Sequence, residues 1–323
     1  MLIVASGNKF SGISNIVRAQ VDTLRKEDLE IDMFAINGKG WLNYFKSVLR
    51  LRKILKKNEY CIVHAHYSFS TWVALLSGAK NVVSSLMGSD VKSKTAWRFL
   101  IRYLLTPFCK VVIVKSEQMK FDLCFSKALV IPNGVDDEKF FPQDRIEAQK
   151  KLNWNPCKVN ILFPSDPNRK EKNYSLLVDA IAKLPKIDFE VHVLKEIPFE
   201  DLNVYYNASD LVCLTSDREG SPNAIKEAMA CDKLVVCTKV GDVPWLFQDG
   251  NGLFLANNDA ESFAHHISVA LEFGKFNGMR SNGREQIEKC QITSRQIAKR
   301  LIQIYSVFCS DLYEHRGNHK NSL

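Results

Sequence analysis

The sequence predicts an α/β protein built from two parallel-sheet units in tandem, and three observations lead there. The chain has 323 residues, more than one hydrophobic core comfortably organises, with 46% apolar and 25% charged residues in an ordinary globular balance. Short β-branched runs alternate with longer amphipathic stretches, the pattern of strands joined by helical crossovers in a parallel sheet. The alternation pauses once, at the turn-forming Ile131-Pro132-Asn133-Gly134-Val135-Asp136 and the polar stretch that follows to about Pro156, and then resumes.

In the first half, candidate strands fall at 2–5, 31–36, 61–65, 81–85, 111–114 and 128–131, with helical patterns such as 14–25 and 41–57 between them. The opening Met1-Leu2-Ile3-Val4-Ala5 has no basic leader and turns polar at Ser6, so it is read as a strand rather than a signal peptide. No apolar run approaches the roughly 20 residues needed to cross a bilayer, and a cytoplasmic protein is expected. The second half gives a strand at 159–163, a helix at 174–184, strands at 189–194 and 211–215, a helix at 222–230 and a strand at 234–237. Residues 1–150 are therefore expected to form one unit and 151–305 the other. Residues 306–323 remain as a helix end and tail, to fray after about Tyr313 or to pack back on the first unit. Ligands of open parallel sheets collect at the carboxyl ends of the strands, and two such sheets leave a cleft as the expected place for chemistry.

Nine cysteines lie singly, without any Cys-x-x-Cys pair, which points to buried reduced thiols rather than a disulfide framework or a zinc site. His64 and His66, two apart at a strand end, are read either as a metal pair or, the preferred reading, as satisfied strand-end histidines. Lys plus Arg number 44 against 36 acidic residues, a net charge of +8 suited to phosphates, anionic lipid or nucleic acid. In the 41–57 helix, Lys46, Arg50, Lys53 and Lys57 share a stripe opposite Tyr44, Phe45, Val48, Leu51 and Leu55. That is the pattern of a solvated crossover helix, or of a helix docking on an anionic membrane.

The most informative segment is Ser216-Asp217-Arg218-Glu219-Gly220-Ser221-Pro222-Asn223-Ala224-Ile225-Lys226-Glu227-Ala228-Met229-Ala230, which follows a strand and opens a helix. Ser221 suits the N-cap and Pro222 the first helical position. The amides of Asn223 and Ala224 would then face outward with the helix dipole behind them, a ready site for an anion or a sugar hydroxyl. Glu227 lies on the same helix face as Asn223, among small and apolar residues, where a carboxylate needs hydroxyl partners such as those of a ribose. By spacing alone, two ordinary surface glutamates are the preferred reading.

The flanks decide between these. Asn207-Ala208-Ser209-Asp210 running into the strand, Glu219-Gly220-Ser221-Pro222, Glu227-Ala228-Met229-Ala230-Cys231 and Val235-Val236 together resemble the family 4 glycosyltransferases, whose Glu-x7-Glu signature Glu219 and Glu227 match. Pro132-Asn133-Gly134-Val135-Asp136 with Phe140-Phe141-Pro142 is similar to that family's interdomain segment. Lys170-Glu171-Lys172-Asn173 is similar to the basic loop of its second domain, Val240-Gly241-Asp242-Val243-Pro244 to a late loop, and Ser11-Gly12 to its glycine-rich loop.

The resemblance implies a GT-B fold, two Rossmann-like domains facing across a cleft, and transfer from a nucleotide sugar with retention. It implies that Lys172 takes the phosphate-lysine role, with Arg169 as the accompanying arginine, and that Glu219 faces the donor sugar. Nucleophile and stabiliser both stay open for Glu219, the stabiliser being favoured. It further implies that Glu227 grips the ribose, and that Gly220, Ser221, Pro222, Asn223, Lys170, Gly12 and Asp90 belong to the binding set. No two aspartates are spaced as Asp-x-Asp, so the departing diphosphate is expected to be met by side chains and amides, without metal or other cofactor. A UDP- or GDP-linked donor, a glycan or lipid-linked acceptor and a role in surface polysaccharide assembly follow as expectations.

Two departures stand out. Met87 occupies a position where the family often has histidine, and Trp245 follows Val243-Pro244 where glutamate is usual. They keep open a catalytically inactive subunit that binds nucleotide sugar or a partner. A nucleic-acid-binding protein has only the net charge behind it, and a dinucleotide oxidoreductase lacks Gly-x-Gly-x-x-Gly after every candidate strand.

Overall fold

In the computed structural model the described residues are 1–6, 13–38, 40–91, 95–185 and 188–309. The chain divides into two compact units, Met1–Pro132 together with the segment from Ser294 onward, and Asn133–Thr293.

The first unit runs β1 (Leu2–Ser6), α1 (Asn15–Lys26), β2 (Asp32–Ile36), α2 (Trp41–Lys57), β3 (Val63–His66), α3 (Ser68–Leu76), β4 (Val82–Ser85), α4 (Gly88–Val91) and α5 (Thr95–Leu100). A π-helical turn at Ile101–Leu105 and a 3-10 turn at Thr106–Phe108 lead to β5 (Val111–Val114), α6 (Glu117–Leu123) and β6 (Leu129–Val130). All pairings are parallel, in the order β2-β1-β3-β4-β5-β6. Runs such as Leu2-Ile3-Val4-Ala5 are apolar on both faces because helices cover both sides of such a sheet. Serines set the helix starts: Ser14 accepts from the amide of Val17 and Ser116 from that of Met119.

On α2, Val48 and Leu51 are buried as the apolar stripe requires. Phe45 is not: it is 60% exposed and shares the outer surface with Leu42 and Leu49. The helix is rotated so that the sheet takes Val48 and Leu51, and Phe45 falls outside their arc.

The second unit runs α7 (Arg145–Leu152), β7 (Val159–Phe163), a 3-10 turn at Lys170–Lys172, α8 (Tyr174–Ala182), β8 (Phe189–Val193), α9 (Leu202–Ala208), β9 (Leu211–Leu214), α10 (Asn223–Ala230), β10 (Leu234–Thr238), α11 (Val243–Leu246), β11 (Leu253–Ala256), α12 (Ala260–Phe276) and α13 (Gly283–Lys289). The parallel order is β11-β10-β9-β7-β8. Its core gathers Ile161, Phe163, Leu211, Cys213, Val236 and Phe263. The winding direction reverses between β7 and β9, the position where such sheets open a crevice at their carboxyl edge.

Two expectations about chain organisation are corrected. The expected boundary at 150 falls at Pro132, because Asn133–Leu152 is tied into the second unit. Gln143 N–H donates to the Asn207 side chain at 2.6 Å, Gln149 Nε2 to the Ala208 carbonyl at 3.0 Å, and Arg284 to the carbonyls of Asp137 and Phe140. At the other end, residues 294–305 were expected in the second unit. They form most of α14 (Ser294–Ser306), which belongs to the first. Its apolar face, Ile297, Ala298, Leu301, Ile302 and Tyr305, is buried, and Arg300 donates to the Val130 carbonyl at 3.1 Å.

The expectation of reduced thiols throughout is also overturned. Cys61 and Cys309, 248 residues apart, are joined by a disulfide with Cα atoms 5.9 Å apart. Only the return of α14 to the first unit brings them together. Cys213, Cys231 and Cys237 are free and buried, as expected. The tail beyond Tyr313 lies outside the described residues. Among the described residues no helix is long and apolar enough to cross a membrane.

Candidate functional site

Loops after the paired strands β7 and β9 meet at the crevice of the second unit. Thr215, just beyond β9, is buried, and its hydroxyl reaches the carbonyls of Lys172 at 2.9 Å and Asn173 at 2.8 Å. Those bonds hold the 3-10 turn so that Lys172 points inward rather than into solvent. Its Nζ lies 2.5 Å from Glu219 Oε1, with both side chains mostly buried. Ser216 also donates to Glu219 Oε1, at 2.9 Å, while the Ser216 carbonyl accepts from Thr238 at 2.6 Å. The ends of β7, β9 and β10 are thereby stitched together around a lysine–carboxylate pair. An ammonium in so dry a setting attracts carboxylate and phosphate oxygens strongly.

The loop 219–223 then enters α10, and here the structure corrects the expected cap. Ser221 is not the N-cap: the helix begins at Asn223, Pro222 takes the cap position, and among the described residues no side chain caps the first turn. The Ser221 hydroxyl is drawn inward, donating to Asp242 Oδ2 at 2.7 Å and accepting from Lys226 Nζ. The opening amides of α10 are therefore left uncapped by side chains, as an anion site at a helix start requires. The part-exposed Asn223 has its Oδ1 3.0 Å from the Asn133 side-chain amide. Gly220 is buried beside Gly241, which has a φ of +57° and where a Cβ would fall 2.6 Å from the Gly220 carbonyl oxygen, so only glycine fits.

Glu227 keeps part of its surface exposed, and the buried Tyr206 donates to its Oε2 at 2.7 Å. Among the described residues Oε1 has no hydrogen-bond donor. Burial pushes the carboxyl up to about 7, against the opposing pull of the Tyr206 hydroxyl and the Lys139 charge. Glu227 thus retains one free acceptor oxygen in a poorly solvated setting, suited to a hydroxyl donor.

Arg169 and Lys170, also expected in the site, do not join this group. Arg169 pairs with Glu171 at 2.6 Å on the surface. Arg169 and Lys170 line a surface groove of about 530 Å³ with Tyr174 and Asp179, and neither Lys172 nor Glu219 takes part in it. Asp90, expected to bind ligand, is fully buried in the first unit and accepts from Ser68 N–H at 3.1 Å and Met87 N–H at 2.7 Å. Burial raises it to about 6, and its work is to hold the Met87 turn against α3. Gly12 lies outside the described residues.

His64 uses both ring nitrogens, with Tyr305 at 2.6 Å and Ser85 at 2.8 Å, and stacks on His66 at 4.3 Å between ring centroids. Burial pushes His64 down to about 3, so it is a satisfied neutral core histidine and not a ligand. Among the described residues no group of three or more His, Cys, Asp or Glu is placed to hold a metal ion.

Sequence reasoning passed over Tyr206, Asn133, Lys226 and Asp242 as individual participants. One signal was available: Lys226 is the single cation in the helix Asn223–Ala230, which apart from Asn223 and Glu227 is otherwise small and apolar.

Known proteins resemble the chain in sequence and in fold. A profile described as Glycosyltransferase Family 4 matches residues 16–139, and one described as Glycosyl transferases group 1 matches residues 174–272. The D-inositol 3-phosphate glycosyltransferase of Mycobacterium sp. (strain KMS) is 24% identical over 317 residues, spanning 81% of this chain and 69% of its own. The UDP-Gal:alpha-D-GlcNAc-diphosphoundecaprenol alpha-1,3-galactosyltransferase of Escherichia coli is 24% identical over 310 residues, spanning 81% and 79%. Among solved structures, sucrose-phosphate synthase from Thermosynechococcus elongatus superposes with a TM-score of 0.79 at 18% identity, covering 96% of this chain and 100% of that one. HepE of Anabaena, solved with UDP and glucose, gives 0.73 at 15%, covering 95% and 99%. The structural likeness shows the fold, GT-B. With a matching profile in each half, the chain belongs to the family 4, group 1 glycosyltransferases and is a transferase enzyme.

Proposed function

We propose that the chain is a retaining glycosyltransferase that moves a sugar from a UDP- or GDP-linked donor to a glycan or lipid-linked acceptor during assembly of a surface polysaccharide such as capsule, O-antigen or exopolysaccharide. The observation that carries this is the meeting of Lys172 and Glu219 at the β7/β9 crevice, beside the uncapped start of α10. In this reading Lys172 turns from Glu219 to the donor's diphosphate, and the amides of Asn223 and Ala224 take further phosphate or sugar oxygens. Glu227 accepts a ribose hydroxyl on Oε1. Glu219 stands at the donor sugar and stabilises an oxocarbenium-like transition state. The diphosphate charge is met by these groups without a metal ion.

The relatives support the substrate class. HepE was solved with UDP and glucose, and the Escherichia coli relative is named for a UDP-Gal donor and a diphosphoundecaprenol-linked acceptor. Exposed Leu42, Phe45 and Leu49 beside the exposed Lys46, Arg50 and Lys53 on α2 support a peripheral position on an anionic cytoplasmic membrane face.

A panel of UDP-, GDP- and TDP-sugars, screened by thermal shift and then for turnover, tests the reading. One donor class should raise the melting temperature and be consumed, since a ligand that binds only the native state stabilises it. No shift with any member of the panel would refute it.

A further inference from the structure

Lys226 has no binding role above, yet it is fully buried in α10. An ammonium in that position is costly unless it is closely matched by acceptors. Here it has three: the Asn133 carbonyl at 2.9 Å, Asp242 Oδ2 at 2.9 Å and the Ser221 hydroxyl. The same hydroxyl donates to Asp242 and accepts from Asn133 N–H at 3.3 Å. The Asn133 side chain in turn donates to the Ser221 carbonyl at 3.3 Å and to Asn223 Oδ1 at 3.0 Å. Ser221 is held through both backbone and side chain, and Asn223 through its side chain. Asp242 follows Gly241, whose contact with the Gly220 carbonyl closes the loop from the other side.

This network explains why the helix does not start where its sequence suggests. A serine directly before proline would ordinarily lend its hydroxyl to the first-turn amides. The buried pair takes that hydroxyl instead, and the amides stay free of it.

We infer that Lys226 and Asp242 are positioning residues: together they pin the 219–223 loop and withdraw the Ser221 hydroxyl from the mouth of α10, so that the opening amides are kept for an anionic oxygen of the donor. The identity of that oxygen rests on the transfer reading proposed above, whereas the pinning of the loop does not.

The test is the double variant Lys226→Met/Asp242→Leu, which removes both charges at once and leaves no unpaired ion in the core. It should melt within a few degrees of the natural chain, because well-packed apolar replacements of a buried pair are tolerated. Amide exchange across 219–224, followed in the unliganded protein, should be at least about tenfold faster. With the donor found by the panel, kcat/KM should fall by at least about tenfold. Should the double variant fail to fold, Asp242→Asn keeps the shape and an acceptor oxygen, and should still speed exchange about threefold.

Unchanged exchange in whichever variant folds overturns the inference, and so does undiminished kcat/KM in the double variant. If no donor is found at all, the transfer reading falls, but the exchange measurement still decides the pinning.

Discussion

Glu227 is where chemistry and ionisation meet in the second unit. Its folded pKa of about 7 lies above the ordinary value of 4.5, and burial is the main cause. The protonated form is therefore favoured on folding. The group's contribution to stability is full below about pH 4.5 and is lost as pH rises through about 7. In the proposed binding mode a ribose hydroxyl donates to the carboxylate, so nucleotide binding should run the other way. Affinity for the nucleoside diphosphate should rise between about pH 6 and about pH 8 in the natural chain and be flat in Glu227→Gln. Titration at the two pH values checks this, and a pH-independent natural chain would contradict it. The two glutamates and Lys172 were legible in sequence because motif order marks them. The pairing of Lys172 with Glu219, and the turning of Ser221 away from the helix, depend on loops that meet only in three dimensions.

At the scale of elements, the strands at 111–114 and 159–163 sit where their β-branched runs place them. Strands covered on both faces show in sequence as short, mostly apolar runs bounded by turn formers, Asn160 in β7 being an exception. Helix faces were less legible. In α2 the helical periodicity puts Phe45 in the apolar stripe, whereas the structure turns it outward with Leu42 and Leu49. That exposure strengthens the membrane reading and gives it a test. Sedimentation with anionic vesicles at low salt should be lost on converting Lys46, Arg50 and Lys53 to glutamate, given about 1 kcal/mol for each basic residue near the surface. High salt should release the natural chain in the same way. Binding that survives the triple change, or its absence at low salt in the natural chain, would exclude this face as the contact.

At the scale of the molecule, the chain leaves the first unit at Pro132, builds the second, and returns at Ser294. Strand–helix alternation cannot reveal the return, because an amphipathic helix does not announce which core it joins. The return buries Tyr305 against His64 and bridges Cys309 to Cys61. Cross-links of this kind are typically worth about 2–4 kcal/mol. Reduction should therefore lower the melting temperature of the natural chain and leave that of Cys61→Ser/Cys309→Ser unmoved. Identical melting with and without reductant would show that the bridge contributes nothing to stability. The central claim is that the Lys172–Glu219 junction and Glu227 together hold a nucleotide sugar. Its most direct test is titration calorimetry of the donor selected by the panel into the natural chain, Lys172→Ala and Glu227→Ala. The account predicts that each change weakens binding at least about tenfold while the fold persists; equal affinity in all three proteins would contradict it.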